Sequence, residues 1–190
     1  MPRTRSGTGL HVTGATGYLG AELLRQTSDA TGERVEVRDA AAVRELFGRL
    51  RPRIVINTAY RQDGDGAWET TVDGAENVAR AAWEVGARLV HLSTDVVFDG
   101  RKGSPYVEED ALCPVTEYGR AKAEAELRVC AVHPNALVVR TSLIVGGPGF
   151  APSKHEQVAL DPALTFYEDE IRCPIQVGDL AAALDRKSVV

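Results

Sequence analysis

The feature that most constrains this chain is its alternation of short, largely apolar runs with longer stretches of helical period. Leu10-His11-Val12-Thr13, Ile54-Val55-Ile56-Asn57, Arg88-Leu89-Val90-His91-Leu92 and Ala136 to Val139 read as strands without a polar face, and a weaker strand is expected at Arg34-Val35-Glu36-Val37. Between them lie helical segments: Tyr18 to Gln26, a helix capped by Asp39 and running to Leu50 with Arg51-Pro52 ending it, Trp68 to Val85 stopped by Gly86, and Thr116 to Val132. Strands buried on both faces cannot lie at a solvated surface, and strands separated by helices pair in parallel. The expected fold is therefore α/β: a Rossmann-like doubly wound parallel sheet with helices on both faces. With 190 residues the chain has material for one such core and little more.

Composition removes several function classes. A formal net charge of -5 gives no excess of Lys and Arg for a nucleic-acid surface, and no run of about 20 apolar residues stands ready to cross a membrane. Cys113, Cys130 and Cys173 are odd in number and far apart, which argues for free thiols and a cytoplasmic location. His11, His91, His133 and His155 are scattered without metal-ligand spacing, so no metal site is expected, and His11 and His91 fall in strands where a core or rim histidine is the simpler reading. Trp68 and Trp83 are assigned to the core.

Three local patterns carry chemistry. The first is Thr13-Gly14-Ala15-Thr16-Gly17-Tyr18-Leu19-Gly20, which follows a strand and opens a helix. In that setting Gly14 permits a tight turn, Gly17 lets backbone approach a pyrophosphate and Gly20 lets helix pack on sheet. The second is Ser93-Thr94-Asp95 at the C-terminal end of a central strand, the edge where open α/β sheets place ligands. The third is Tyr118-Gly119-Arg120-Ala121-Lys122, in which a phenol and an ammonium four positions apart share one helix face. A phenol of ordinary pKa about 10 is a poor acid-base group at neutral pH, and a neighbouring cation favours its phenolate. Tyr-Lys pairs at this spacing are commonly no more than solvated neighbours, so the weight rests on the combination.

With those motifs in place, the chain resembles the extended short-chain dehydrogenase/reductase superfamily and, within it, the dTDP-4-dehydrorhamnose reductase family. The resemblance runs through Ser93-Thr94-Asp95-Val96-Val97-Phe98-Asp99-Gly100, Pro105-Tyr106, Glu108, Asp110, Pro114, Tyr118 to Lys122, Arg140-Thr141-Ser142, Gly146 and Pro174 to Ala181. It implies reduction of the 4-keto group of a nucleotide-linked deoxysugar by NADPH or NADH, with Thr94, Tyr118 and Lys122 catalytic. It implies a cofactor site made by Gly14, Thr16, Gly17, Tyr18, Leu19 and Gly20, by Arg38 and Asp39 near adenine, by Asn57, Thr58, Ala59 and Tyr60 along the cleft, and by Ser93, Tyr118 and Lys122 at the nicotinamide. Thr94, Asp95 and Val96 would meet the sugar nucleotide, and Arg172 could reach its diphosphate, since a planar guanidinium suits that group. The partners expected are a nucleotide-sugar substrate and, as an open assembly state, a second copy in a homodimer, with no nucleic acid and no membrane. A non-catalytic nucleotide-binding subunit of the same fold is the alternative.

The expected organisation is an NAD(P)-binding Rossmann domain over residues 1–145 and a partial substrate-binding portion over 146–184. Residues 185–190, Asp-Arg-Lys-Ser-Val-Val, are what a widely used sequencing adapter encodes in one frame, so a non-native tail and a truncated chain with an incomplete C-terminal portion are expected; a basic helix end is the ordinary alternative. Only about 20 residues separate Gly20 from Asp39, hardly room for a helix, a full second strand and the loop that selects NAD or NADP.

Overall fold

The structure is a computed structural model that describes residues 9–166 and 168–189; residues 1–8, with which the expected first domain begins, and Val190 of the expected tail lie outside the described residues. Five strands form one parallel sheet: β1 (Leu10–Thr13), β2 (Ala30–Thr31), β3 (Ile54–Asn57), β4 (Arg88–Thr94) and β5 (Leu137–Thr141), in the spatial order β2-β1-β3-β4-β5. The helices α1 (Tyr18–Gln26), α2 (Ala40–Leu50), α3 (Gly74–Val85) and α4 (Glu117–Val132) connect them.

Alternation along the strands divides the core into two layers. Val55 and Leu89 face α2, α3 and α4, where they meet Val43, Phe47, Val78, Ala82 and Val129. Val12, Ile56, Val90 and Leu92 face the other way, onto Leu19 and Leu23 of α1 and onto Leu180, Ala181 and Leu184 of the last helix, α6 (Val177–Val189). His11 and His91 are buried within the first layer, His11 edge-on to Phe47 at 5.5 Å between ring centroids.

The helix ends follow from local chemistry. Asp39 accepts from Ala41 N and Ala42 N, each at 3.0 Å, and Thr116 accepts from Gly119 N at 2.9 Å, so each side chain satisfies helix donors that have no partner within the helix. Gly86, at φ 72°, closes α3 in the left-handed conformation that glycine adopts freely.

Two expectations need correction. No strand forms at 34–37: the second strand is the two-residue β2, four positions earlier, and the chain from Gly32 to Glu36 joins no sheet. A strand needs a ladder of backbone partners; β1 is already paired on both sides, and β2 offers only two residues to its outer neighbour. The apolar side chains there still act, with Val37 buried against the core. Trp68 and Trp83 are not core residues: both remain about half exposed, Trp83 lying edge-on to His133.

After β5 the chain forms β6 (Ile144–Val145), the short helix α5 (Lys154–Ala159) and β7 (Ile175–Gln176), with β6 and β7 paired in parallel away from the main sheet. Among the described residues no helix is long and apolar enough to cross a membrane.

Candidate active site

Most of the residues singled out by sequence lie at the C-terminal edge of the sheet. Gly14, at φ 72°, sits so close to the end of β3 that a Cβ there would lie 2.7 Å from Ala59 N and 2.8 Å from Thr58 Oγ1. Gly20 is equally constrained: a Cβ would press on the Gly14 carbonyl and approach Ala15 Cα at 2.8 Å. Between them Thr16, Gly17 and Tyr18 are exposed. Gly17 begins α1, no side chain caps that end, and no acidic residue stands in its first turn. The helix therefore presents uncapped amides and the positive end of its dipole to the cleft, the arrangement that takes a phosphate. Leu19 is buried in the second core layer, and the Tyr18 hydroxyl donates to Ala151 O at 2.5 Å, tying the turn to the chain beyond β6.

At the end of β3 the side chains turn inward. Asn57 Oδ1 accepts from Thr13 Oγ1 at 2.6 Å and from Ala59 N at 3.2 Å, while its amide nitrogen lies 3.1 Å from His91 Nδ1. Thr58 donates to Thr13 O at 2.7 Å. Asn57 and Thr58 thus shape the cleft wall, and Tyr60 is the large side chain the segment offers to it, half-exposed.

At the end of β4, Ser93 Oγ is buried without a hydrogen-bond partner, and Thr94 Oγ1 donates to Asp95 Oδ1 at 3.3 Å. The 3-10 turn Asp95–Val97 follows, and the Val96 carbonyl lies against Gly119, where any Cβ would collide with it. Gly119 is therefore what lets α4 approach β4 closely enough to bring Tyr118 and Lys122 to the strand end.

Lys122 is buried, and its ammonium donates to the Leu92 carbonyl and faces the Tyr60 ring with its nitrogen 5.8 Å from the centroid. Burial lowers its pKa to about 8, partly offset by Glu126. Tyr118 packs on the same Tyr60 ring, centroids 5.7 Å apart and planes at 48°. Burial, the Tyr60 phenol and Asp95 all raise the Tyr118 pKa, and the Arg172 guanidinium lowers it. The expected lowering of the Tyr118 pKa by Lys122 is therefore not found here: the ammonium is directed to Leu92 O, and burial dominates the phenol.

Arg172 closes the site from a distance of 77 positions. Its Nε donates to Asp95 Oδ2 at 2.9 Å and its Nη2 to Asp95 Oδ1 at 2.8 Å, with Nη1 on Glu170 at 2.8 Å. Several residues of the motif between Thr94 and Lys122 are structural. Tyr106 stacks on Phe98 at 4.2 Å and donates to Asp99, Arg140 lies over Phe98 and chelates Glu126, and Asp110 accepts from Lys102 and from Val107 N.

Arg38 and Asp39 stand apart, on an open cleft of about 590 Å³ lined also by Glu36, Gly66, Glu69 and Asp73. Glu36 chelates Arg38 through two contacts of 2.9 Å, which lowers the Glu36 pKa to about 2, and the Asp39 carboxylate caps α2. One buried polar residue at this edge escaped the sequence reading: Thr71, in the wide π-type turn Glu69–Asp73 that precedes α3, whose hydroxyl bonds the main chain of Arg61. A threonine inside a helical stretch carries no sequence signal of its own.

The family pattern described as RmlD substrate binding domain matches residues 8–187. The spore coat polysaccharide biosynthesis protein SpsK of Bacillus subtilis is 33% identical over 189 residues, covering 91% of this chain and 67% of its own length. A dTDP-4-dehydrorhamnose reductase of Mycobacterium tuberculosis is 35% identical over 196 residues, covering 92% of this chain and 64% of its own length. Among solved structures, the dTDP-4-dehydrorhamnose reductase of Bacillus anthracis in complex with NADP superposes with a TM-score of 0.82 at 27% identity, over 97% of this chain and 71% of that one. The chain thus spans about two thirds of the length of these relatives. Its parallel sheet, its glycine turn and the match along nearly its whole length lead to one assignment: the chain belongs to the RmlD substrate binding domain family.

Proposed function

We propose that this chain carries the site of an NAD(P)H-dependent oxidoreductase that reduces the 4-keto group of a nucleotide-linked deoxysugar, as the named activity of its Mycobacterium tuberculosis relative suggests. The single observation that carries the reading is the meeting of β4 and α4 through Gly119, which sets Ser93, Thr94, Tyr118 and Lys122 at one strand end.

The residues present fit a nicotinamide dinucleotide, as in the Bacillus anthracis structure with NADP. Gly14, Thr16, Gly17, Tyr18, Leu19 and Gly20 form the phosphate turn at the uncapped end of α1, and the partnerless Ser93 Oγ provides a buried polar group for the nicotinamide side. Arg38 and Asp39 border the adenine side, and Asn57, Thr58, Ala59 and Tyr60 form the wall. When bound, the dinucleotide supplies hydride to the carbonyl carbon.

The chain's own residues manage the proton. Tyr118 delivers its phenolic proton to the carbonyl oxygen as negative charge develops there, and the raised pKa that burial gives it calls for a cation beside the phenolate at that moment. Thr94 holds the same oxygen, and Lys122, turning from Leu92 O toward the dinucleotide ribose, brings its cation to the phenolate that remains. Asp95 and Val96 line the sugar subsite, and Arg172 turns its guanidinium to the diphosphate. The proposed division is 1–145 for the dinucleotide and 146–184 for the substrate side. We also place the protein in the cytoplasm, consistent with its three free cysteines, and a homodimer is its proposed assembly.

The test is incubation with dTDP-4-keto-6-deoxyhexose and each reduced nicotinamide, following nicotinamide absorbance. Substrate-dependent oxidation is expected. Dinucleotide binding without turnover would favour a non-catalytic subunit, and binding of neither dinucleotide would sink the reading.

A further inference from the structure

Thr71 is almost fully buried, 1% exposed, and lies where the helix leading into α3 opens into a wide turn. Such π-type turns are uncommon and recur at functional sites. Its hydroxyl bonds a single residue twice, accepting from Arg61 N at 3.1 Å and donating to Arg61 O at 2.9 Å. At the other end of the same loop, Ala59 N donates to Asn57 Oδ1 at 3.2 Å and Thr58 Oγ1 to Thr13 O at 2.7 Å. Tyr60 is the residue between the two anchors, and its ring is the shared neighbour of the Tyr118 ring and the Lys122 ammonium. The wide turn also packs on α4, the helix that carries Tyr118 and Lys122.

We propose that Thr71 is a positioning residue: by holding both peptide groups of Arg61 it sets where Tyr60 stands, and Tyr60 in turn covers Lys122 and seats Tyr118. Its bearing on catalysis rests on the reductase reading above. The simpler account is that Thr71 closes a loop and nothing more, and the two differ in what reaches Lys122. Besides Tyr60 from the loop, the titratable groups that interact with that ammonium are His91 on β4 and, on α4 itself, Glu126, which Arg140 chelates. Substitution of Thr71 leaves all of these in place except the ring of Tyr60.

The experiment compares wild type, Thr71→Val, Thr71→Ser, Tyr60→Ala and the double variant Thr71→Val with Tyr60→Ala, all in the full chain. The first arm follows amine labelling of Lys122 against pH by peptide mass spectrometry and needs no turnover. Wild type should show a midpoint near the lowered Lys122 pKa of about 8. Thr71→Val should raise that midpoint by about one pH unit, as water replaces the ring, and increase the high-pH labelling rate several-fold. Thr71→Ser should restore wild-type behaviour, and Thr71→Val added to Tyr60→Ala should change nothing further. The second arm measures ketosugar reduction, where Thr71→Val should lower kcat roughly tenfold with a smaller change in KM and Thr71→Ser should recover it.

A Thr71→Val chain that is less stable yet labels Lys122 as wild type does would overturn the inference, as would a serine variant that fails to rescue. Should Thr71→Val not fold, Tyr60→Ala, altered at a half-exposed ring, decides it alone: an unchanged Lys122 midpoint there removes the link. A wild type that turns over no substrate sinks the reductase reading and the catalytic half of this one, while the labelling arm still decides the contact.

Discussion

The sheet edge and the segment between β6 and β7 are built on opposite terms. The edge rests on two packed layers in which Val12, Leu23, Phe47, Ile56 and Leu89 are almost wholly buried, and Gly14, Gly20 and Gly119 leave no space there for a side chain. The segment leaves Leu160 82% and Ile171 91% exposed. Apart from Phe150, which packs against the second core layer, it is held by polar attachments: Tyr18 on Ala151, the Glu156 carboxylate on Gly146 N and Ser153 N, and the Arg172-Asp95 chelate. A site of this kind asks one side to hold a cofactor in fixed geometry and the other to admit a substrate. Apolar packing suits the first because it is unconditional. Ion pairs and single hydrogen bonds suit the second, since an anionic ligand can replace one partner at modest cost.

If that contrast is correct, substitutions on the two sides separate chemistry, binding and stability. The largest effect belongs to Tyr118→Phe: turnover should fall by roughly a hundred- to ten-thousandfold, the usual contribution of a positioned acid. Dinucleotide affinity by calorimetry should stay near wild type because the ring still packs. A near-native rate would place the proton donor elsewhere.

Removing Arg172 should act mainly on the loose side, beyond a further rise in the Tyr118 pKa. Arg172→Ala leaves Asp95 without its chelating partner and should raise KM for the sugar nucleotide roughly tenfold, the loss of one charge-assisted pair, with dinucleotide affinity unchanged. Equal losses of both affinities would show that the two sides form one rigid unit.

Lys122→Met probes the packed side through pH. The folded pKa of this lysine is depressed to about 8 from 10.5, so between those values the unfolded chain binds more protons and stability rises with pH. Below about pH 8 the folded state carries the full cost of a buried ammonium. Lys122→Met should therefore be the more stable chain at neutral pH, by roughly 1–3 kcal/mol, with the difference shrinking as pH rises toward the lysine's ordinary range, while turnover is lost. Denaturant midpoints at two pH values measure this, and a variant less stable at pH 7 would contradict it.

The smallest effect is expected at Ile171→Ser. With that side chain 91% exposed, stability should change by less than about 0.5 kcal/mol, while self-association by light scattering declines. A large destabilisation would mean that the segment has a packed partner after all.

Much of the architecture was legible from short-range pattern. Leu10–Thr13, Tyr18–Gln26, the Asp39 cap and the Gly86 stop all lie where periodicity and cap chemistry put them, because those signals depend on neighbours a turn or less away. Arg34–Val37 failed for the complementary reason: its alternation suits a strand, but a strand exists only with a partner, and β1 was already paired on both sides. Trp68 and Trp83 failed because apolar area says nothing about which face of a helix meets the sheet.

Sequence alone determined the doubly wound class, the glycine turn and the placing of Tyr118 and Lys122 four positions apart on one helix, since each is a matter of spacing along a single strand, turn or helix. Only the tertiary structure decided that Arg172 lies on Asp95, that Thr71 holds the loop of Tyr60, and that Lys122 faces Leu92 O while burial raises the Tyr118 pKa. Those are contacts between elements brought together by packing, and their energies depend on desolvation, which a linear sequence does not contain.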